Sequence, residues 1–205
     1  MYEFLKDFQT LIVGIPALIA AICAAWQVGG QLKQMQLQTN VSRRDLMAER
    51  VGELENRRAA TMKPLRSVIE NIGREIIQGE EVNPNIDSNF AFIWNMAISS
   101  ELNRLYSRES DPQPLVDAIA TTKQSLGQLN ECLDALHRPY SMLGDPDLSD
   151  DDEKQLDVEE EKMRPQLGPR YIAFSASAKT LDVALGDYVS SVRNKLEKID
   201  LELLR

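Results

Sequence analysis

A chain of 205 residues with 43% hydrophobic content is long enough for one packed domain plus an appendage. Aromatics at only 6%, with Leu, Ala, Glu and Gln recurring, favour helices over sheets, since strands draw on aromatic and β-branched residues. A net charge of −9 argues against nucleic acid as the main ligand, because phosphate binding needs a basic surface that releases counterions.

The first ten residues, MYEFLKDFQT, read as a short tail, and from Leu11 to Gly30 there is no charged side chain. A helix of about 20 residues rises roughly 30 Å, the thickness of a hydrocarbon core, so this run is expected to be a transmembrane helix. Leu11, Ile12, Ile15, Leu18, Ile19, Ile22 and Trp26 are the candidate anchor. Trp26 near one end, with Tyr2, Phe4 and Phe8 before the other, supplies the aromatics expected at headgroup level. A cleaved export signal is not expected, because the leader is net acidic. Lipidation at Cys23 is not expected either, because Ile22 stands where a small residue is required. The alternative is a soluble oligomer in which residues 11–30 form a shared core helix.

Lys33, Arg43, Arg44 and Arg50 follow the run, whereas only Lys6 precedes it. The positive-inside rule then puts the N-terminus outside and the C-terminal domain in the cytoplasm, with these membrane-proximal basic residues along anionic lipid headgroups. The opening YEFLKDFQTL, followed by an Ala/Ile/Leu-rich run, resembles the start of uncharacterised single-span inner-membrane proteins of bacteria. The resemblance covers roughly the first thirty residues and implies a single-pass location in a bacterial inner membrane. It carries no catalytic or binding residue across.

A long juxtamembrane helix is expected over residues 31–78. Its stripe runs Leu37, Val41, Arg44, Ala48 and Val51, then Met62, Leu65, Ile69, Ile72 and Ile76. Arg57 and Arg58 interrupt the seam, and Pro64 should kink the helix. Gly79–Asn89 reads as a loop, and the next helix places Phe90, Ile93, Trp94, Ala97, Ile98, Leu102 and Leu105 at helical spacing, as plain core. After the break at Asp111–Pro114, a regular stripe runs Leu115, Ile119, Thr122, Leu126, Leu129, Leu133 and Leu136, ending at Arg138-Pro139. A last stripe runs from Tyr171 through Phe174, Ala178, Leu181, Leu185, Tyr188, Val192, Leu196 and Ile199 to Leu203.

These elements predict an all-α fold: a transmembrane helix followed by an elongated antiparallel bundle of about four helices, in which 79–205 completes the cytoplasmic part. The long 3-4 spacing also allows coiled-coil self-association. Between the last two helices, the acidic tract 145–161 is expected to be a solvated, partly disordered connector. Two calcium-loop frames, from Asp145 and from Asp147, fail because the turn glycine and the bidentate Glu are missing.

Catalytic constellations are not expected. His137 is the only histidine, and its turn-spaced partner Asp134 supplies half of what a di-metal bundle requires. Glycines fall in no phosphate-binding pattern, and Cys23 and Cys132 read as two free, buried thiols. The sequence therefore predicts a non-enzymatic, membrane-anchored interaction or assembly module. It would contact membrane lipid and either a protein partner or a second copy of itself, with no nucleic acid, cofactor, metal or small-molecule substrate. A membrane-active effector, for instance in host–phage conflict, is the remaining alternative.

Overall fold

The computed structural model describes residues 2–78, 81–82, 88–142 and 149–204, with side chains described from residue 18 onward except at 77, 78, 81, 82, 88, 140 and 150. The chain is an all-α helical protein with helices α1 (Tyr2–Ile76), α2 (Ser88–Arg104), α3 (Gln113–Ser141), α4 (Asp150–Met163) and α5 (Leu167–Leu203). A 3-10 turn, Arg164–Gln166, separates α4 from α5. In a two-residue antiparallel pair, β1 (Ile77–Gln78) takes the last two residues of the expected juxtamembrane helix and β2 (Glu81–Val82) lies within the loop expected over Gly79–Asn89. Residues 2–10 of the expected tail, the expected span 11–30 and residues 31–76 of the expected juxtamembrane helix fall within α1, which passes through Pro64, while Ile77 and Gln78 leave the helix for β1.

The chain divides into two units. The larger, Val51–Ser191, holds a single hydrophobic core. Every member of the α3 stripe from Leu115 to Leu136 is buried, as are Leu65, Ile72 and Ile76 of α1 and Phe174, Ala178 and Leu181 of α5. Polar pairings set the helix directions. Arg58 meets Asp182 while Tyr171 Oη donates to Ile69 O at 2.9 Å, so α1 and α5 run antiparallel. Thr122 donates to Ser177 O at 3.1 Å and Arg170 to Gln128 O at 2.6 Å, so α3 and α5 do too. Buried Thr122, Ser125 and Ser177 satisfy one another and nearby carbonyls, which lets three hydroxyls sit in the core without orphaned donors.

Several expectations are corrected here. Ile93 is exposed, together with Phe92 and Met96, because α2 turns toward the core the face carrying Ala91 and Ile98, against which Phe90, Trp94 and Leu102 pack in part; Leu105, just past the helix end, is buried too. Helix α3 continues two residues past Arg138-Pro139 to Ser141. Pro139 removes one backbone donor in the last turn, where Arg138 O is met by both Ser141 Oγ and Met142 N. Within the acidic tract, 150–161 is helical, part of α4, in place of the partly disordered connector expected; residues 145–148 lie outside the described residues. Ser149 and Asp152 form a reciprocal capping box, and Asp150, Asp151 and Asp152 stand at the positive end of the helix dipole. Like charges that suggested a solvated connector are thus placed where a helix start favours them.

The smaller unit comprises Met1–Arg50 and Val192–Arg205. Its buried apolar residues among those described are Val192 and Ile199 on α5, and Arg44 Nε donates to Asp200 Oδ1 at 2.6 Å. Leu37 and Val41, expected in the packing stripe of α1, are exposed. Among the described residues no helix is long and apolar enough to cross a membrane; of the expected span Leu11–Gly30, the side chains of residues 11–17 lie outside them.

Candidate functional site

Two places carry features beyond plain packing, one in each unit. The first is the N-terminal part of α1. Leu11, Ile12 and Ile15 lie outside the described side chains, while Leu18, Ile19, Ile22 and Trp26 are all exposed, Trp26 at 82%. Consecutive turns of exposed aliphatic and aromatic surface exceed the scattered apolar residues a monomer normally leaves to water. Each such side chain would gain about 1.5–3 kcal/mol on full burial, so the segment has a strong tendency to acquire cover. Lys33, Arg43, Arg44 and Arg50 are exposed roughly two to seven helical turns beyond Trp26. Arg44 also pairs with Asp200 and Asp45, and the Asp200 hydrogen bond raises its guanidinium pKa above the ordinary value.

The second place is a cavity of about 450 Å³ in the larger unit. Leu65, Leu105, Ile119, Leu181 and Leu185 give it an apolar floor, and Glu53, Arg57, Glu101, Arg104 and Arg108 line its rim. Its wall is set by the α2–α3 connection, which Arg57 pins to α1. Arg57 Nη1 and Nη2 donate to Asp111 Oδ1 and Oδ2 at 2.6 and 2.8 Å, and Nη2 also donates to Tyr106 O at 3.0 Å. The guanidinium lies 6.0 Å from the Tyr106 ring centroid. Asp111 in turn accepts from Arg108 N at 2.8 Å, and Tyr188 Oη donates to Ser110 O at 3.1 Å.

This is a bidentate ion pair in a nearly dry setting: the Asp111 side chain is 1% exposed and that of Arg57 11%. Burial pushes the Asp111 carboxyl up, but the hydrogen bonds from Arg57 and from Arg108 N and the positive charge of both arginines outweigh it, leaving the pKa below the usual carboxylate value. Arg104 pairs with Glu101 at 2.9 Å and Arg108 with Glu53. Each arginine at the rim is therefore matched to a carboxylate. An entering group meets an apolar floor and a neutralised, hydrogen-bonding edge.

His137 and Asp134 are not brought together as a pair. Asp134 accepts from Arg138 at 2.8 Å, while the His137 ring packs 4.6 Å from Phe92, its Nδ1 buried without a hydrogen-bond partner among the described residues. Cys132 is buried and donates to Met163 O at 3.2 Å, and burial pushes its thiol up to about 11. Cys23 is exposed, where a buried thiol was expected. Among the described residues no group of three or more His, Cys, Asp or Glu side chains is placed to hold a metal ion.

Arg57 and Asp111 were not singled out as a pair from sequence, where Arg57 reads as an interruption of a seam and Asp111 as a turn residue. The only signal was a charged residue at a position where the stripe called for an apolar one. Compared with family models, curated proteins and solved structures, the chain finds no match.

Proposed function

We propose that this chain is a non-enzymatic, membrane-anchored helical protein, single-pass in a bacterial inner membrane, whose cytoplasmic bundle serves as an interaction or assembly module. The observation that supports this most is the exposed apolar surface of α1 from Leu18 to Trp26, continuous in sequence with the uncharged residues from Leu11. Lipid is the cover that suits a segment apolar on every side, because an amphipathic protein contact needs only one stripe. The basic residues Lys33, Arg43, Arg44 and Arg50 follow on one side only, which favours a cytoplasmic C-terminal domain. The paired rim charges of the cavity support a structural or docking role for the bundle over a reactive one.

The test is membrane association of the full-length chain carrying Ala20→Lys and Ala21→Lys. Two charges at the middle of the span oppose insertion by several kcal/mol, on the order of 2.5–3.5 each. Loss of the protein from the membrane fraction is expected. Retention equal to the unsubstituted chain would contradict a spanning helix.

A further inference from the structure

From within the anchor to well past it, α1 carries one continuous apolar stripe that is exposed within its own unit. Leu18, Ala21, Ala25, Val28, Leu32, Met35, Thr39, Ser42 and Leu46 recur in alternating steps of three and four, and all nine are exposed. No charged residue falls on this seam: Lys33, Arg43, Arg44, Asp45, Glu49 and Arg50 all lie off it. It ends where Glu49 takes the next position. Leu37 and Val41 lie on the other side of the helix.

Lipid cannot cover the whole seam. From Gly30 to Leu46 a helix rises roughly 24 Å, several times the depth of one headgroup layer. Leu32 stays within the headgroup layer, whereas Met35 reaches its outer edge and Leu46 stands in water even when residues 11–30 are in hydrocarbon, an assumption taken from the function proposed above. Alternating three-and-four spacing is the period at which two helices wind around each other with left-handed twist. Thr39 is compatible with such a seam because its hydroxyl already donates to Met35 O at 2.8 Å within its own helix.

We propose that the occupant of this face is a second copy of the same chain, paired parallel and in register from Leu18 to Leu46. The flanking residues give the polarity. In a parallel pair, the residue just before one seam position faces the residue five further along the partner helix. These facing pairs are Gln31 with Gln36, Gln38 with Arg43, and Asp45 with Arg50, so no like charges meet and the last pair is attractive. An antiparallel pair over the same seam would lay Leu46 of one helix beside Leu18 of the other, so Asp45, Arg43 and Arg50 would all face uncharged residues of the span and the attractive pair would be lost. Within the membrane portion, Ala21 and Ala25 allow the backbones a close approach, as such interfaces require where lipid removes the hydrophobic drive.

The test uses full-length protein in vesicles of phosphatidylcholine with phosphatidylglycerol, in a Cys23→Ser background that leaves the buried Cys132 in place. Under mild oxidation, Met35→Cys on the seam is expected to form a disulfide-linked dimer at least tenfold faster than Leu37→Cys on the other face. Equal rates, or no dimer from Met35→Cys, would overturn the proposal. Asp45→Arg and Arg50→Asp singly should each weaken dimerisation roughly three- to tenfold, and together should restore it. Failure of the double substitution to restore pairing would overturn the parallel register. Flotation of the same vesicles separates the two readings. Cross-linking without flotation removes the anchor and keeps the dimer, whereas flotation without cross-linking removes the dimer and keeps the anchor.

Discussion

Replacing Asp111 with Ala tests how the α2–α3 connection is held. The substitution leaves the Arg57 guanidinium, 11% exposed, with Tyr106 O and the Tyr106 ring as its remaining partners. It also removes the acceptor for Arg108 N. Removing one partner of a buried ion pair costs about 3–5 kcal/mol because the other charge is left uncompensated. The residual exposure of Arg57 and its contact with Tyr106 place this case at the low end, and the lost backbone acceptor adds about 1 kcal/mol. A total of about 3–4 kcal/mol is expected. For a domain of this size, that corresponds to a melting temperature lowered by roughly 6–16 °C. Urea denaturation followed by far-UV circular dichroism, on full-length protein in detergent, measures it.

The paired replacement Arg57→Met with Asp111→Leu removes both charges and should cost far less than Asp111→Ala alone. A loss below about 1 kcal/mol for Asp111→Ala, or a double replacement as damaging as the single one, would refute the reasoning. The pH dependence has a definite sign. Asp111 titrates lower in the fold than its ordinary value near 3.8, so its contribution is fully present above that value and is lost as pH falls through the depressed one. Asp111→Asn should remove that component of acid unfolding.

Three further outcomes follow from the same geometry. A Cβ at Gly73 would overlap Tyr171 Oη, so Gly73→Ala should destabilise by about 1–2 kcal/mol despite alanine's better helix propensity, and by less in a Tyr171→Phe background; a double-mutant cycle by thermal denaturation would contradict this if the two effects simply add. In a Cys23→Ser background near pH 8, Cys132 should react with maleimide on the order of a hundredfold slower in the folded protein than after unfolding in urea; stability contributed by the buried thiol is present below about 9 and lost as pH rises toward 11, and equal rates folded and unfolded would contradict its burial. Ser149→Ala should lower helix content around α4 and cost about 1 kcal/mol, read as faster amide exchange over 150–163; unchanged exchange would mean that the capping box does not hold the helix start.

What could be read from sequence was what local periodicity controls. The α3 stripe from Leu115 to Leu136 and the α5 stripe from Tyr171 to Leu185 are buried because a strict three-and-four spacing on an otherwise polar helix leaves only one face to bury. Periodicity says nothing about how much of a stripe finds a neighbour. Leu37 and Val41 keep the spacing of Val51 and Leu65 yet remain exposed, and Ile93 keeps the spacing of Ile98 yet faces away from the core. Arg57 and Asp111 are distant in sequence, so their bidentate pair leaves no local trace beyond a charge on an apolar stripe. The helix at 150–163 was masked by its own composition. Its start depends on the reciprocal bond of Ser149 and Asp152, a spacing signal that a count of acidic residues does not capture.

The anchor is the claim on which the rest of the functional account turns, and an alkaline carbonate wash of membranes holding the full-length chain tests it most directly. The exposed surface from Leu18 to Trp26, joined to the uncharged residues from Leu11, predicts that the protein stays in the pellet. Release into the supernatant would contradict the anchor and assign that surface to contact with protein.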